Sequence, residues 1–136
     1  MDDNLLKITI DSNIIISALL FGGNSKIVIE KLIKREFIAY TSPQLVSELV
    51  EVLVQKFRFS EEMIKNLQIQ IANFFTIVYP LHLINVVRDK DGNRVLETAV
   101  ESNSSIIITG DKDLLVLGKY KKIKIMSPKD FLDMYL

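Results

Sequence analysis

Apolar residues recur along this chain in two rhythms. Leu5–Ile10 and Ser105–Ile108 are short, almost unbroken apolar runs, the pattern of strands buried on both faces. Elsewhere apolar positions return every three or four residues, as on an amphipathic helix. Within Pro43–Phe57, for example, Leu45, Leu49, Val52 and Leu53 make one stripe. The pattern predicts a strand over Leu5–Ile10, then a short helix from Ser12 or Asn13 to Leu20, broken by Gly22-Gly23. A helix from Asn24 or Ser25 to about Arg35, a strand over Phe37–Tyr40, and helices over Pro43–Phe57 and from Ser60 through Phe75 follow. A strand at Ile77–Tyr79, a helix over Asn93–Ser102, a strand at Ser105–Ile108 and a short helix over Lys112–Leu117 come next. A strand at Ile123–Met126 and a helix over Pro128–Tyr135 close the chain. Ser42-Pro43 and Ser127-Pro128 are helix starts, a capping serine before proline in the first helical position. Glu61 and Glu62 suit the first turn of their helix because they complement its dipole.

Strands alternating with helices imply an α/β fold. The expected architecture is a three-layer α/β/α sandwich with a central, mainly parallel sheet and right-handed crossovers. In open sheets of this kind, sites form beyond the carboxyl ends of strands, where the strand order reverses. Asp11 and Asp111 follow two of the apolar strands directly.

Composition narrows the picture. At 136 residues the chain is expected to be a single domain, residues 1–136. Apolar residues at 49% can build a core, and charged residues at 25% are too few for disorder. The absence of cysteine excludes disulfides and thiolate metal sites, and fits a cytoplasmic location. Met1-Asp2-Asp3-Asn4 lacks the basic start of a signal peptide. The apolar stretch Ile14–Phe21, broken by Ser17, is too short to span a bilayer, so no membrane is expected.

Formal net charge is zero, so the total predicts no general attraction to polyanions. Local clusters are more suggestive. Lys119, Lys121, Lys122 and Lys124 lie just beyond Asp111, and Arg88, Lys90 and Arg94 surround Asp91. Lysines of this kind are usually solvated surface, but a metal site facing a polyanion needs such neighbours.

The candidate chemistry is carboxylate chemistry. Asp11, Glu48, Asp91 and Asp111 each fall near an expected element end or cleft border, with no soft ligand to compete. Together they point to hard cations, Mg²⁺ or Mn²⁺, and so to phosphate substrates. Each has a plainer reading. Asp11 could cap a helix, although Ser12 and Asn13 are expected to suffice for that and leave it available. Glu48 sits at the edge of its helix's apolar stripe and could simply be exposed. Asp111 and Asp113 could serve the start of a short helix, and Asp113 fits that role better. His82, the single histidine, has no partner for a zinc site and reads as a loop residue. No Gly-x-Ser-x-Gly elbow, Walker loop or Gly-x-Gly-x-x-Gly turn is present.

The order of these motifs resembles the PIN-domain family, single-domain metal-dependent ribonucleases, and within it the toxin components of toxin–antitoxin pairs. Asp11-Ser12-Asn13-Ile14 resembles the opening motif, and Ser42–Leu49 the helix carrying the family glutamate. Thr109-Gly110-Asp111-Lys112-Asp113-Leu114-Leu115 resembles the fourth motif, and Ser127–Leu132 the closing helix. The likeness covers essentially the whole chain. It implies phosphodiester hydrolysis with one or two Mg²⁺ or Mn²⁺ ions on Asp11, Glu48, Asp91 and Asp111. Asn13, Thr109 and Asp113 would support them, and Arg88, Arg94, Lys121 and Lys122 would contact RNA phosphates. It also implies a cognate antitoxin; a homodimer is expected from apolar helices such as Ile64–Phe75.

One departure stands out. Arg88-Asp89-Lys90-Asp91-Gly92-Asn93 has glycine where the family shows a second aspartate, with Asn93, Leu96 and Ala99 fixing the alignment. Asp91, one residue upstream, is the nearest substitute, and restoring an acid at 92 is expected to raise activity if that ligand matters. The alternative is a catalytically impaired PIN fold that binds RNA or protein. A more distant alternative is a haloacid-dehalogenase-type phosphatase, which Gly110-Asp111-Lys112-Asp113 loosely resembles. That family needs an aspartate where Asn13 stands.

Overall fold

The computed structural model describes residues 4–135, so the acidic start Met1–Asp3 lies outside the described residues. Six strands form one sheet: β1 (Lys7–Ile10), β2 (Ile38–Thr41), β3 (Phe75–Ile77), β4 (Ile106–Ile108), β5 (Lys119–Tyr120) and β6 (Ile123–Met126). Their order across the sheet is β3-β2-β1-β4-β6-β5. All neighbours are parallel except the β5–β6 hairpin. Among the described residues seven helices flank it: α1 (Ser12–Leu20), α2 (Gly23–Ile33), α3 (Pro43–Phe57), α4 (Glu61–Phe74), α5 (Lys90–Ser102), α6 (Lys112–Leu117) and α7 (Pro128–Tyr135). This is the expected three-layer α/β/α sandwich.

Strands β1 and β4 are the centre of the fold. Ile8, Ile10, Ile106, Ile107 and Ile108 are essentially without solvent exposure, as expected of the central strands of a sheet covered on both faces. Alternating side chains divide two cores. Ile8, Ile10, Ile106 and Ile108 meet α1, α2, α3 and α7 on one face. Ile107, Ile123 and Ile125 meet Leu45, Leu96, Ala99 and Leu114 on the other. Among the described residues no single helix is long and apolar enough to cross a membrane.

Three elements differ most from the sequence expectation, while β1, β2 and α2 shift by one or two residues. β3 spans Phe75–Ile77 rather than Ile77–Tyr79, because α4 passes into it with no intervening turn. The apolar run there has no alternation to fix its register, and pairing with β2 decides it (Ala39 beside Phe75, Thr41 beside Ile77). β5 was not foreseen; it is two residues long and turns at Lys121, whose φ is 54°. α5 begins at Lys90, three residues before Asn93, so Asp91 sits in its first turn instead of preceding it.

The coil before α5 is held along that helix by its side chains. Glu101 accepts from the Leu81 N–H (3.1 Å), Glu97 from Ile84 (2.9 Å), and Asn93 Oδ1 from Val86 (2.9 Å) and Val87 (3.0 Å). Asn93, Glu97 and Glu101 are four residues apart, so they share one face of the helix. That ladder delivers Arg88 and Asp89 to the helix start.

Candidate active site

From β1 the chain runs outward to β2 on one side, while β4 lies on the other. The strand order therefore reverses between β1 and β4, and a crevice opens at their carboxyl ends. Asp11 and Asp111 stand there, and the Asp11 N–H still bonds the Ile108 carbonyl at 3.0 Å. α3 brings Glu48 and the first turn of α5 brings Asp91. Together with Asn13, Asp89 and Gly92 they line one small cleft of about 60 Å³. Thus the four acids picked out by sequence do face a common space.

Several of these carboxylates also hold helix starts. Asp11 caps α1, its Oδ1 accepting from the Asn13 N–H at 3.2 Å. This corrects the expectation that Ser12 or Asn13 would cap: the Ser12 hydroxyl donates instead to the Leu45 carbonyl at 2.8 Å. Asp111 caps α6 through the Leu114 N–H (3.0 Å), and Asp89 caps α5 through the Asp91 N–H (3.0 Å). Three helix amino ends, each with a positive partial charge, therefore converge on the acidic cleft. Thr109 ties two of the acids together. Its buried hydroxyl donates to Asp11 Oδ2 at 2.7 Å and accepts from the Asp111 N–H at 3.0 Å.

Crowding of like charge shows in the ionisation of the group. Burial pushes the Asp11 carboxyl up, the bonds from Thr109 and Asn13 oppose this, and the Asp111 and Asp91 charges add to the rise. Glu48 is pushed up to about 8, first by burial and then by the neighbouring Asp91 carboxyl. Like charges brought this close disfavour the ionised form of Glu48. Among the described residues, no three acids stand close enough to enclose one ion as they are. The capping bonds of Asp11, Asp89 and Asp111 explain part of that spread.

The basic residues are less well placed than their sequence neighbourhood suggests. Arg88 is exposed at the start of α5 and bonds Asp113 at 3.3 Å, so Asp113 faces a cation rather than the cleft floor. Arg94 lies in an ion pair with buried Glu97 at 2.7 Å and reaches the Ile84 carbonyl at 3.4 Å. Its guanidinium is a structural brace for the coil, contrary to the expected phosphate contact. Lys121 and Lys122 form the β5–β6 turn. Lys124 pairs with Ile106 at the beginning of β4, so this turn lies at the amino ends of the parallel strands, opposite the cleft. Sequence proximity to Asp111 misled because α6 and the antiparallel β5 carry the chain from the carboxyl ends of the strands back to their amino ends.

Gly92 is buried, and a Cβ added there would meet Val87 Cγ2 at 2.9 Å and Leu114 Cγ at 3.5 Å. A side chain at 92 would start toward this apolar contact, so Val87 must move before an acid fits. Asp89, by contrast, lines the cleft and was not singled out in the sequence. Its signal was available: it lies in the same short acidic segment, one helical cap before Asp91.

The fold and this crevice define the class. The PIN-domain family profile matches residues 7–113, and the chain belongs to that family. Membership points to nuclease-type chemistry, for which PIN domains generally employ divalent metals. A relative, an uncharacterized protein MJ1680 of Methanocaldococcus jannaschii, is 32% identical, across 98% of this chain and 94% of its own length. The crystal structure of PAE2754 from Pyrobaculum aerophilum aligns with a TM-score of 0.58 over 96% of this chain and 88% of that one. At 15% identity this second likeness concerns the fold alone.

Proposed function

We propose that the protein is a metal-dependent endoribonuclease and the toxin of a toxin–antitoxin pair. The observation that carries the reading is the cleft at the strand-order reversal, lined by Asp11, Glu48, Asp89, Asp91 and Asp111. Its donors are all hard oxygens, and their mutual repulsion is what a divalent cation relieves. The donor chemistry therefore fits Mg²⁺ or Mn²⁺, held by Asp11, Glu48, Asp91 and Asp111. Such an ion, when bound, lowers the pKa of water and polarises a phosphoryl oxygen.

The remaining work belongs to the chain. Thr109 fixes the rotation of the Asp11 carboxylate. Asn13, exposed at the cleft, orients water or a ligand. Arg88 is the cation best situated to meet a backbone phosphate at the rim. Single-stranded or looped RNA suits so narrow an opening, since its backbone can be presented without a paired strand. The working form is a cytoplasmic homodimer held in check by its antitoxin.

The test is cleavage of a generic single-stranded RNA in Mn²⁺, with Asp11→Asn beside the wild type. Cleavage by the wild type and none by the variant supports the reading; equal cleavage by both overturns it. A second reading, a PIN fold that binds RNA or protein without cleaving it, is favoured by Gly92 and by the spread of the acids. Retained RNA binding with no Mn²⁺-dependent cleavage would select it.

A further inference from the structure

We infer that Ser12 is a positioning residue that sets the separation of Asp11 from Glu48; this rests on the metal-site reading above. Ser12 is the first residue of α1 and is 6% exposed. A serine at a helix start ordinarily turns its hydroxyl to its own backbone or to water. Here the hydroxyl donates at 2.8 Å to the carbonyl of Leu45, in the first turn of α3. That carbonyl already has a place in the α3 ladder, so it needs no second donor. An alanine would fill the same buried space without a polar group to satisfy. What the serine adds is a fixed relation between two helices.

The position of the bond gives it consequence. It joins the residue after Asp11 to the residue one turn before Glu48, on the same face of α3. The Leu45 N–H is held in turn by the Ser42 hydroxyl at 3.4 Å. The Leu45 side chain is wholly buried in the core that also contains Val95 and Leu96 of α5. The Leu45 peptide is thereby the junction of the three elements that carry Asp11, Glu48 and Asp91. Releasing the Ser12 bond lets α3 slide or rotate against α1, and Glu48 moves with it.

The test is Mn²⁺ affinity by titration calorimetry on Ser12→Ala and Ser12→Thr, each checked for folding by its thermal midpoint. Ser102→Ala is the control. Ser102 lies at the far end of α5 and bonds Ser104 at 2.6 Å, so it loses a comparable buried hydroxyl away from the cleft. Residues that orient metal ligands typically govern about 10–100-fold in affinity. The expected result is a loss of about tenfold or more in Ser12→Ala, most of it returned by Ser12→Thr, and no change in Ser102→Ala. Unchanged affinity in Ser12→Ala, equal losses in Ser12→Ala and Ser102→Ala, or no recovery with threonine would overturn the inference while leaving the metal site standing. Absence of Mn²⁺ uptake by the wild type would instead remove the metal-site reading, and this inference with it.

Discussion

Two glutamates, each withdrawn from water on a helix, live under opposite conditions. Glu97 on α5 is 3% exposed and neutralised, its Oε2 meeting Arg94 at 2.7 Å and the Ile84 N–H at 2.9 Å. Glu48 on α3 is half-buried, and the charges nearest it are other acids, Asp91 first. The first arrangement is closed: charge meets charge, and the result is a coil braced to a helix. The second is open, because stability alone is better served by removing one of the acids. A cluster of like charge with no cationic side chain in its lining, at the mouth of a parallel sheet, suits a cation. The lesson is that burial of an acid alone says little about function; burial without a counter-charge is what singles out a candidate site.

That contrast can be broken or sharpened by substitution. The largest effect belongs to Asp11→Asn. RNA cleavage in Mn²⁺ is expected to fall by more than about a hundredfold, beyond the upper range for residues that only orient ligands. Asparagine caps a helix as well as aspartate does, so the thermal midpoint should stay level or rise. A variant as active as the wild type would dissolve the contrast. On the other side, Arg94→Ala strands the Glu97 charge. It is expected to destabilise by about 3 kcal/mol, the low end for breaking a buried pair, because Arg94 keeps a fifth of its side chain in water. Urea unfolding measures it, and a change below about 0.5 kcal/mol, the scale of ordinary surface substitutions, would show the brace to be idle.

Gly92→Asp comes next. Displacing Val87 should cost about 1–3 kcal/mol, as overpacking does, and should offset any gain from a further acid. A more active variant with an unchanged midpoint would mean that position 92 opens into the cleft after all. The pH response is smaller. The Glu48 carboxyl stands at about 8 in the folded chain against 4.5 unfolded. Between those values the folded state holds the extra proton, so metal-free stability should fall as pH rises through this window. Asp11 is shifted in the same direction. Glu48→Gln should flatten the profile in thermal melts, and so should saturating Mg²⁺. A profile that rises from pH 4.5 to 8 in the metal-free protein would contradict the repulsion. Least of all, Lys121→Ala and Lys122→Ala should change stability by no more than about 0.5 kcal/mol and leave cleavage of a short RNA intact.

Much of the fold was legible because its centre is locally unambiguous. Leu5–Ile10 and Ser105–Ile108 have no reading other than buried strands, and Ser42-Pro43 fixes where α3 starts. The edges were not legible. β3 gets its register from β2, and β5 exists because a positive-φ turn folds two residues back on β6. The acids of the cleft were recognisable from their order. Their second duty was not: Asp11, Asp89 and Asp111 cap helices, and which of several polar residues wins a cap depends on where the others are drawn. Ser12 was drawn to α3, a partner 33 residues away. Lys121, Lys122 and Arg94 stand outside the cleft lining. Charge near an acid in sequence says little once a strand or a buried ion pair intervenes.

The most direct measurement is anomalous diffraction from a crystal soaked in Mn²⁺. The expected result is a peak in the cleft within coordinating distance of Asp11, Asp111 and at least one of Glu48 and Asp91, with the capping carboxylates turned toward it. An empty cleft at saturating Mn²⁺ would contradict the central claim.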